Sequence, residues 1–515
     1  MSRRAYAAAV LALAACHAGT VQPARGPRTR AERTQYTETS HYADVVAFLD
    51  SLPVRRESLG TTTEGRVIPY VIVSHAAATP AEAHAKGVPV VYVQANIHAG
   101  EVEGKEALLA LVRDLVMTPG ASVLDSVLVI AVPIYNADGN ERFAAQAVNR
   151  TEQNGPEWVG QRPNGQGLDL NRDYVKAEAP ETRASLAAFN RWDPDVFVDL
   201  HTTDGSFHGY ALTYAPSLAP GADPYTRDSL LPELRKRMRT RHGFETFDYG
   251  NFEGEPAAWK TYDDRPRFGT NYYGLRGRNA ILSEAYSHDP FERRVRATYA
   301  FVREILSLAA ERRVSLMRHG EPMTPVPVRG ALTTAPIVEP VVREALVPTG
   351  DSSLTQPGVP RGQRRSGTLE AITMPVYDRF VSTLDRPSPA GGYLVPAEDS
   401  AVIRLLRRHG ILAVGRPRNA VGLVSEDFVI DSVVHAAQPF QGHHTTRLVG
   451  HWVTLPVPRQ VLGGYIVPTN QPTRRLAVYL LEPESDDGFV TWNVLDDALQ
   501  PGMTYPILRL NSNAP

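Results

Sequence analysis

Residues 90–117 read Val-Val-Tyr-Val-Gln-Ala-Asn-Ile-His-Ala-Gly-Glu-Val-Glu-Gly-Lys-Glu-Ala-Leu-Leu-Ala-Leu-Val-Arg-Asp-Leu-Val-Met, and the change of period inside this stretch decides the fold. Residues 90–95 form a largely apolar run rich in β-branched side chains, of strand length. Beyond a short loop, Ala107, Leu108, Leu111, Val112 and Leu115 recur on one face of a helix predicted over 102–117. A strand delivered into a helix is the repeating unit of an α/β protein. Similar apolar runs occur at 127–135, 196–200 and 280–283, interleaved with helical candidates at 181–190 and 290–308. Near-continuous apolar strands alternating with helices predict an α/β fold: a mixed, mostly parallel sheet with helices on both faces.

With 515 residues and 43% hydrophobic content, the chain is long enough for two or three domains with a sizeable core. Its formal charge of -2 provides no net basic field, so nucleic acid is not expected as a partner. At the start, Arg3 and Arg4 precede an apolar run over 5–15 and then Cys16, the single cysteine. That run has the pattern of a secretory signal and falls well short of the roughly 20 residues a spanning helix needs. Leu13-Ala14-Ala15-Cys16 resembles the lipobox of bacterial lipoproteins. This implies export to the cell envelope and a membrane anchor through lipidated Cys16, on the periplasmic or outer-membrane face; a plain cleaved signal with an incidental cysteine is the alternative. One cysteine leaves no internal disulfide.

The expected organisation is a signal over 1–16, a flexible tether over 17–35 rich in Gly, Pro, Thr and Arg, and the α/β domain over 36–318. A Pro-, Val-, Thr- and Gly-rich connection over 319–362 leads to a C-terminal α+β domain over 363–515. In that last part, 420–424 and 478–481 read as strands and 400–409 as a helix ended by Gly410, where a left-handed cap is easiest.

Three short segments carry the chemistry. His98 and Glu101 follow one apolar run and His201 follows another, where ligands of open α/β sheets gather beyond the carboxyl ends of strands. Two imidazoles and one carboxylate are a ligand set for one zinc ion per chain with a position left open for water, the pattern of a hydrolytic rather than a structural site.

Here the sequence resembles the M14 zinc carboxypeptidase family, over roughly residues 42–313. Residues 96–106, with His98 and Glu101, resemble the family's first zinc motif. Pro133-Ile134-Tyr135-Asn136-Ala137-Asp138-Gly139 resembles its Pro-x-x-Asn-Pro-Asp-Gly turn, with Ala137 in place of Pro. Gly167-Leu168-Asp169-Leu170-Asn171-Arg172 resembles the element that grips a substrate's terminal carboxylate. His201 in Asp199-Leu200-His201-Thr202 matches the last zinc ligand, and Glu284 in Leu282-Ser283-Glu284-Ala285 matches the general base.

The resemblance implies that 36–318 is a catalytic domain hydrolysing the C-terminal peptide bond of peptides that carry a free terminal carboxylate. It further implies roles for single residues. Asn171 and Arg172 hold that carboxylate, Asp169 orients His98, and Arg162, nine residues before Asn171, stabilises the oxyanion. Tyr262, 22 residues before Glu284, is the mobile tyrosine that closes over substrate, with Tyr272 and Tyr273 as competitors. Physical chemistry asks for the same residue types: a carboxylate beside zinc-bound water accepts its proton, and a planar guanidinium pairs with a carboxylate through two parallel hydrogen bonds.

Other features read as structural. His443, His444 and His451 lack an acidic partner at ligand spacing, residues 100–105 lack the spacing of a phosphate loop, and residues 482–488 form an acidic turn. Two rival functions remain at this stage: a zinc amidase acting on peptidoglycan stem peptides, and a catalytically inactive surface protein that binds peptides in the same cleft.

Overall fold

The computed structural model describes residues 26–118, 122–317, 325–356, 359–415 and 421–510. Cys16, the expected signal and the first part of the expected tether lie outside the described residues. Eight strands build the central sheet: β1 (Arg55–Thr61), β2 (Val67–Val73), β3 (Val90–Ala95), β4 (Leu128–Val132), β5 (Val196–Thr202), β6 (Leu212–Pro216), β7 (Thr246–Asp248) and β8 (Asn279–Ala285). Their order across the sheet is β1-β2-β4-β3-β5-β8-β6-β7. The β4-β3, β3-β5, β5-β8 and β6-β7 pairs are parallel and the rest antiparallel, so the sheet is mixed, with the parallel run β4-β3-β5-β8 at the centre.

Alternation along the central strands divides the core in two. Tyr92, Ile130, Phe197 and Ala280 face α2 (Pro180–Trp192) through Leu186, Phe189 and Trp192. Val91, Val129, Val198 and Ile281 face α1 (Glu103–Met117) and the later helix Phe291–Glu311 through Leu108, Val112, Phe301 and Ile305. Period two on a strand buried on both faces gives the near-continuous apolar runs seen in the sequence. Gly104 lets the first turn of α1 lie against β5, since a Cβ there would meet the Leu200 Cβ at 2.8 Å.

The C-terminal part is richer in strand than its composition suggests. Within 319–362, expected as a connection, lie β9 (Val326–Leu332) and β10 (Ile337–Pro348). β10 pairs along its length with β11 (Gln363–Tyr377), and β11 continues parallel onto the short strand Ala258–Lys260, opposing Trp259 and Lys260 with Val376 and Tyr377. β9 pairs with β12 (Phe380–Arg386). A six-stranded sheet follows, built from β13 (Gly392–Val395), β14 (Val414–Gly415), β15 (Val421–His435), β16 (Thr446–Leu462), β17 (Tyr465–Val467) and β18 (Leu508–Leu510), in the order β14-β17-β13-β18-β15-β16. The expected helix is present as Ser400–Arg408, with Gly410 left-handed at φ +70°.

Residues 478–481 are not a strand. They end the helix Arg474–Leu481, every residue of which from Arg475 onward is buried, and a short apolar run has the same appearance in a buried helix as in a buried strand. The end of the expected tether also departs from expectation. Thr29 and Glu32 form a capping box on the short helix Arg30–Arg33, Ala31 is fully buried, and Glu32 pairs with Arg113 of α1 at 2.5 Å. A four-residue helix leaves no period to read. Among the described residues no helix is long and apolar enough to cross a membrane.

Candidate active site

The carboxyl ends of β3 and β5 lie side by side because the two strands pair in parallel, with Ala95 opposite Leu200. Past Ala95 the chain turns sharply at Asn96, whose φ of +64° is left-handed and whose side-chain amide donates to the carbonyls of Ala99 and Glu101. That turn brings His98 Nδ1 to 3.0 Å from Glu101 Oε1, while His201 Nδ1 of β5 lies 3.0 Å from Glu101 Oε2. One ligand atom from each of the three residues falls within 4.8 Å of the others, and all three are buried.

Each imidazole turns its other nitrogen to a second carboxylate. His98 Nε2 is 3.0 Å from Asp169 Oδ1, and His201 Nε2 is 3.1 Å from Asp199 Oδ2. The latter two atoms are buried and complete no hydrogen bond, although their separation is that of an ion pair. A ring nitrogen facing inward with the opposite one held by a carboxylate is how metal-ligating histidines are oriented. The two inward nitrogens and one carboxylate fit zinc with an open position.

β8 runs parallel to β5 with Glu284 directly opposite His201, so both side chains project on the same side of the sheet. Burial pushes Glu284 well above the usual carboxylate range, and Glu101 and Asp204 push the same way against the pull of His201 and Arg150. Burial also penalises the charge on Glu101, yet His98 and Arg150, with hydrogen bonds from His201 and His98, hold it well below that range. Two neighbouring carboxylates driven apart in this way are equipped for different tasks. Both line a cleft of about 320 Å³, together with Arg150, Arg162, Asn171, Arg172, Tyr249, Tyr262 and Phe268.

Residues 40–264 match the model of the zinc carboxypeptidase family, peptidase M14. The chain carries an M14 zinc carboxypeptidase domain. Carboxypeptidase 2 of Trichophyton equinum is 25% identical over 481 residues, spanning 87% of this chain and 81% of that protein. Carboxypeptidase 2 of Trichophyton rubrum is 24% identical over the same span. Among solved structures, a metallo-carboxypeptidase from Burkholderia cenocepacia aligns over 52% of this chain and 69% of its own, at 19% identity and a TM-score of 0.40.

The match to the M14 model ends before Glu284, whose position is therefore given by β8 alone. Within the M14 domain the turn Asp169-Leu170-Asn171-Arg172 contributes Asn171 and Arg172 to the lining of the cleft. The Asp169 carboxylate accepts from the Asn171 backbone N–H at 2.9 Å, faces His98, and takes Arg162 Nε at 2.9 Å. Burial opposes its charge, but His98, Arg162 and Arg172 hold its pKa far below normal. Arg162 Nη1 also stands 3.6 Å from Glu101, and 39% of the Arg162 side chain is exposed. Asn171 Oδ1 accepts from the Gly269 N–H at 2.9 Å, which leaves the Asn171 amide nitrogen as a donor. The Arg172 guanidinium stacks over Phe268 at 4.0 Å.

Tyr262 stands in the cleft, edge-on to Tyr249 and Phe268. Tyr272 and Tyr273 do not compete for this place: both are fully buried in the core, and the Tyr272 hydroxyl pairs with His409. His443 meets Glu178 and Asn493, His444 meets the Ala436 carbonyl and His451 meets Asp431, so these histidines are dispersed. In the acidic turn, Glu482 accepts from Tyr393 and Arg509 while Asp487 accepts from Arg267, which makes both carboxylates internal anchors.

No motif in the sequence marks Arg150. Its Nη1 lies 3.2 Å from Glu101 Oε1 and its Nη2 donates to the carbonyls of Thr202 and Thr203, tying the inner carboxylate to the end of β5. An isolated arginine in a loop carries no spacing signal, and only the fold brings it to the site.

Proposed function

We propose that the chain is a zinc metallocarboxypeptidase that removes residues from peptides bearing a free C-terminal carboxylate. His98, Glu101 and His201 would hold the metal, with Asp169 and Asp199 fixing the two rings. When bound, zinc supplies a Lewis acid that brings the pKa of water to about 7 and polarises a carbonyl.

The remaining work falls to the protein. Glu284, raised by burial and placed beside His201, accepts a proton from the attacking water and returns it to the departing amine. Arg162, held by Asp169 with its guanidinium reaching toward Glu101, supplies a cation where negative charge develops on the scissile carbonyl oxygen. Arg172, preorganised on Phe268, and the Asn171 amide donate to the terminal carboxylate, which selects chain ends over internal bonds. Tyr262, which lines the same cleft, would cover the bound residue.

The observation that carries this reading is the convergence of His98, Glu101 and His201 beside Glu284 in a cleft that also holds an arginine fork. Its test is Glu284→Gln. Cleavage of a peptide with a free C-terminus is expected to fall by about a thousandfold or more, within the range general bases provide, while zinc content by atomic absorption stays at the wild-type value. Full activity in the variant would reject Glu284 as the base. Peptidoglycan fragments and C-terminally amidated peptides run in parallel are expected to be poor substrates.

A further inference from the structure

The tip of the β15-β16 hairpin reaches the M14 domain at the turn that carries the carboxylate clamp. Its two central residues, Gln441 and Gly442, both have positive φ, +51° and +82°, and Phe440 and His443 exchange backbone hydrogen bonds across them. That is the two-residue hairpin geometry which Asn-Gly or Gly-Gly adopts most easily. A glutamine in the first position is sterically disfavoured and gains no local hydrogen bond there. Its side chain instead crosses to the other part of the chain, where Oε1 accepts the backbone N–H of Asp169 at 3.0 Å.

Neighbouring contacts fix the same junction. His443 Nε2 is 2.9 Å from Glu178, and Phe440 and Trp492 flank the Arg267 guanidinium at 5.2 and 4.9 Å. Arg267 is bound through both its backbone N–H and its Nε to Asp487. The next two residues, Phe268 and Gly269, support Arg172 and Asn171.

We propose that Gln441 is a positioning residue for the M14 site: by holding the Asp169 N–H, the C-terminal hairpin sets the turn Asp169-Leu170-Asn171-Arg172 that receives a substrate's terminal carboxylate. The C-terminal part thereby acts on chain-end recognition without touching substrate. This inference rests on the metallocarboxypeptidase reading for the identity of the ligand.

The test compares zinc-loaded full-length protein with two variants, using steady-state kinetics on a free-C-terminus peptide and calorimetric binding of benzylsuccinate, an uncleavable dicarboxylate. Gln441→Met keeps the reach and deletes the acceptor. KM and the benzylsuccinate Kd are expected to rise about tenfold with kcat within about twofold, the signature of a lost hydrogen bond that acts on binding. Gln441→Glu, which restores an acceptor oxygen, is expected to recover most of both.

Wild-type KM and Kd in Gln441→Met overturn the proposal, as does a loss confined to kcat or a Glu variant no better than Met. If Gln441→Met does not fold, Gln441→Gly, suited to the turn and equally lacking the acceptor, is read by the same criteria. A wild-type protein that binds benzylsuccinate and cleaves nothing would refute the hydrolytic reading, and the Kd comparison would still decide Gln441. A wild-type protein that does neither overturns both.

Discussion

Asp199 shows how much of the candidate site depends on residues behind His98, Glu101 and His201. It is fully buried on β5, and its Oδ2 faces His201 Nε2 at 3.1 Å. With that carboxylate removed, the ring loses the buried anion that faces its outer nitrogen. Asp199→Ala is therefore expected to weaken zinc binding by about 10- to 100-fold, measured by competition with a chromophoric chelator. An unchanged affinity would mean that packing alone orients the ring. The convergence of His98, Glu101 and His201 was legible in the sequence because each follows an apolar run that had to end at one edge of one sheet. Arg150 was not, because its approach to Glu101 comes from a loop whose path no local pattern encodes.

At the level of elements, α1 is joined to the helix Phe291–Glu311 by more than apolar packing. Glu103, in the first turn of α1, pairs with Arg294 at 3.3 Å, and both side chains are essentially inaccessible. Arg294 also donates to the carbonyls of Asn154, Gly155, Ser287 and Asp289, so a single guanidinium ties two loops and two helices together beside the site. Burial lowers its pKa against the support of Glu103. Arg294→Met would leave the buried Glu103 without its cationic partner and the Asn154 and Asp289 carbonyls without their donor. The expected loss is about 3–5 kcal/mol, seen as a lower midpoint in urea, and a loss under about 1 kcal/mol would show that water replaces the guanidinium.

The central strands β3, β4, β5 and β8 and the helices α1, α2 and Phe291–Glu311 could be read from their periods because both faces of the sheet are buried there, whereas β1, β2, β6 and β7 were not read. Residues 337–348 and 363–377 gave no such pattern. Those strands are exposed over much of their length and hold together through pairing with each other, and pairing leaves little trace in composition.

Across the whole molecule, one apolar cluster runs from Tyr92 and Phe197 of the central sheet through Tyr272 to Val402, Leu406 and Trp492 of the C-terminal part. His409 sits inside it, its Nδ1 2.8 Å from the Tyr272 hydroxyl and its Nε2 3.1 Å from the Val175 carbonyl. Burial, with Arg276 and Arg408 adding to it, lowers the His409 pKa to about 3, and burial next to His288 does the same for His208.

An imidazole held neutral in the fold binds a proton near pH 6.5 once unfolded. Between about 6.5 and about 3 the unfolded chain thus carries more protons, and stability is lost as pH falls through that window. From about pH 7.5 to about pH 5, His409 alone is expected to account for about 2 kcal/mol. Asp264 works in the opposite direction. It is pushed up to about 7 by burial and by Asp486 and Asp263, so its share of the stability falls as pH rises from about 4 to about 7. Its contribution cancels when wild type and His409→Gln are compared at the same two pH values. Urea midpoints should therefore drop less on acidification in His409→Gln than in wild type. Equal drops would show that His409 is protonated in the folded protein and that the junction between the two parts of the chain admits water.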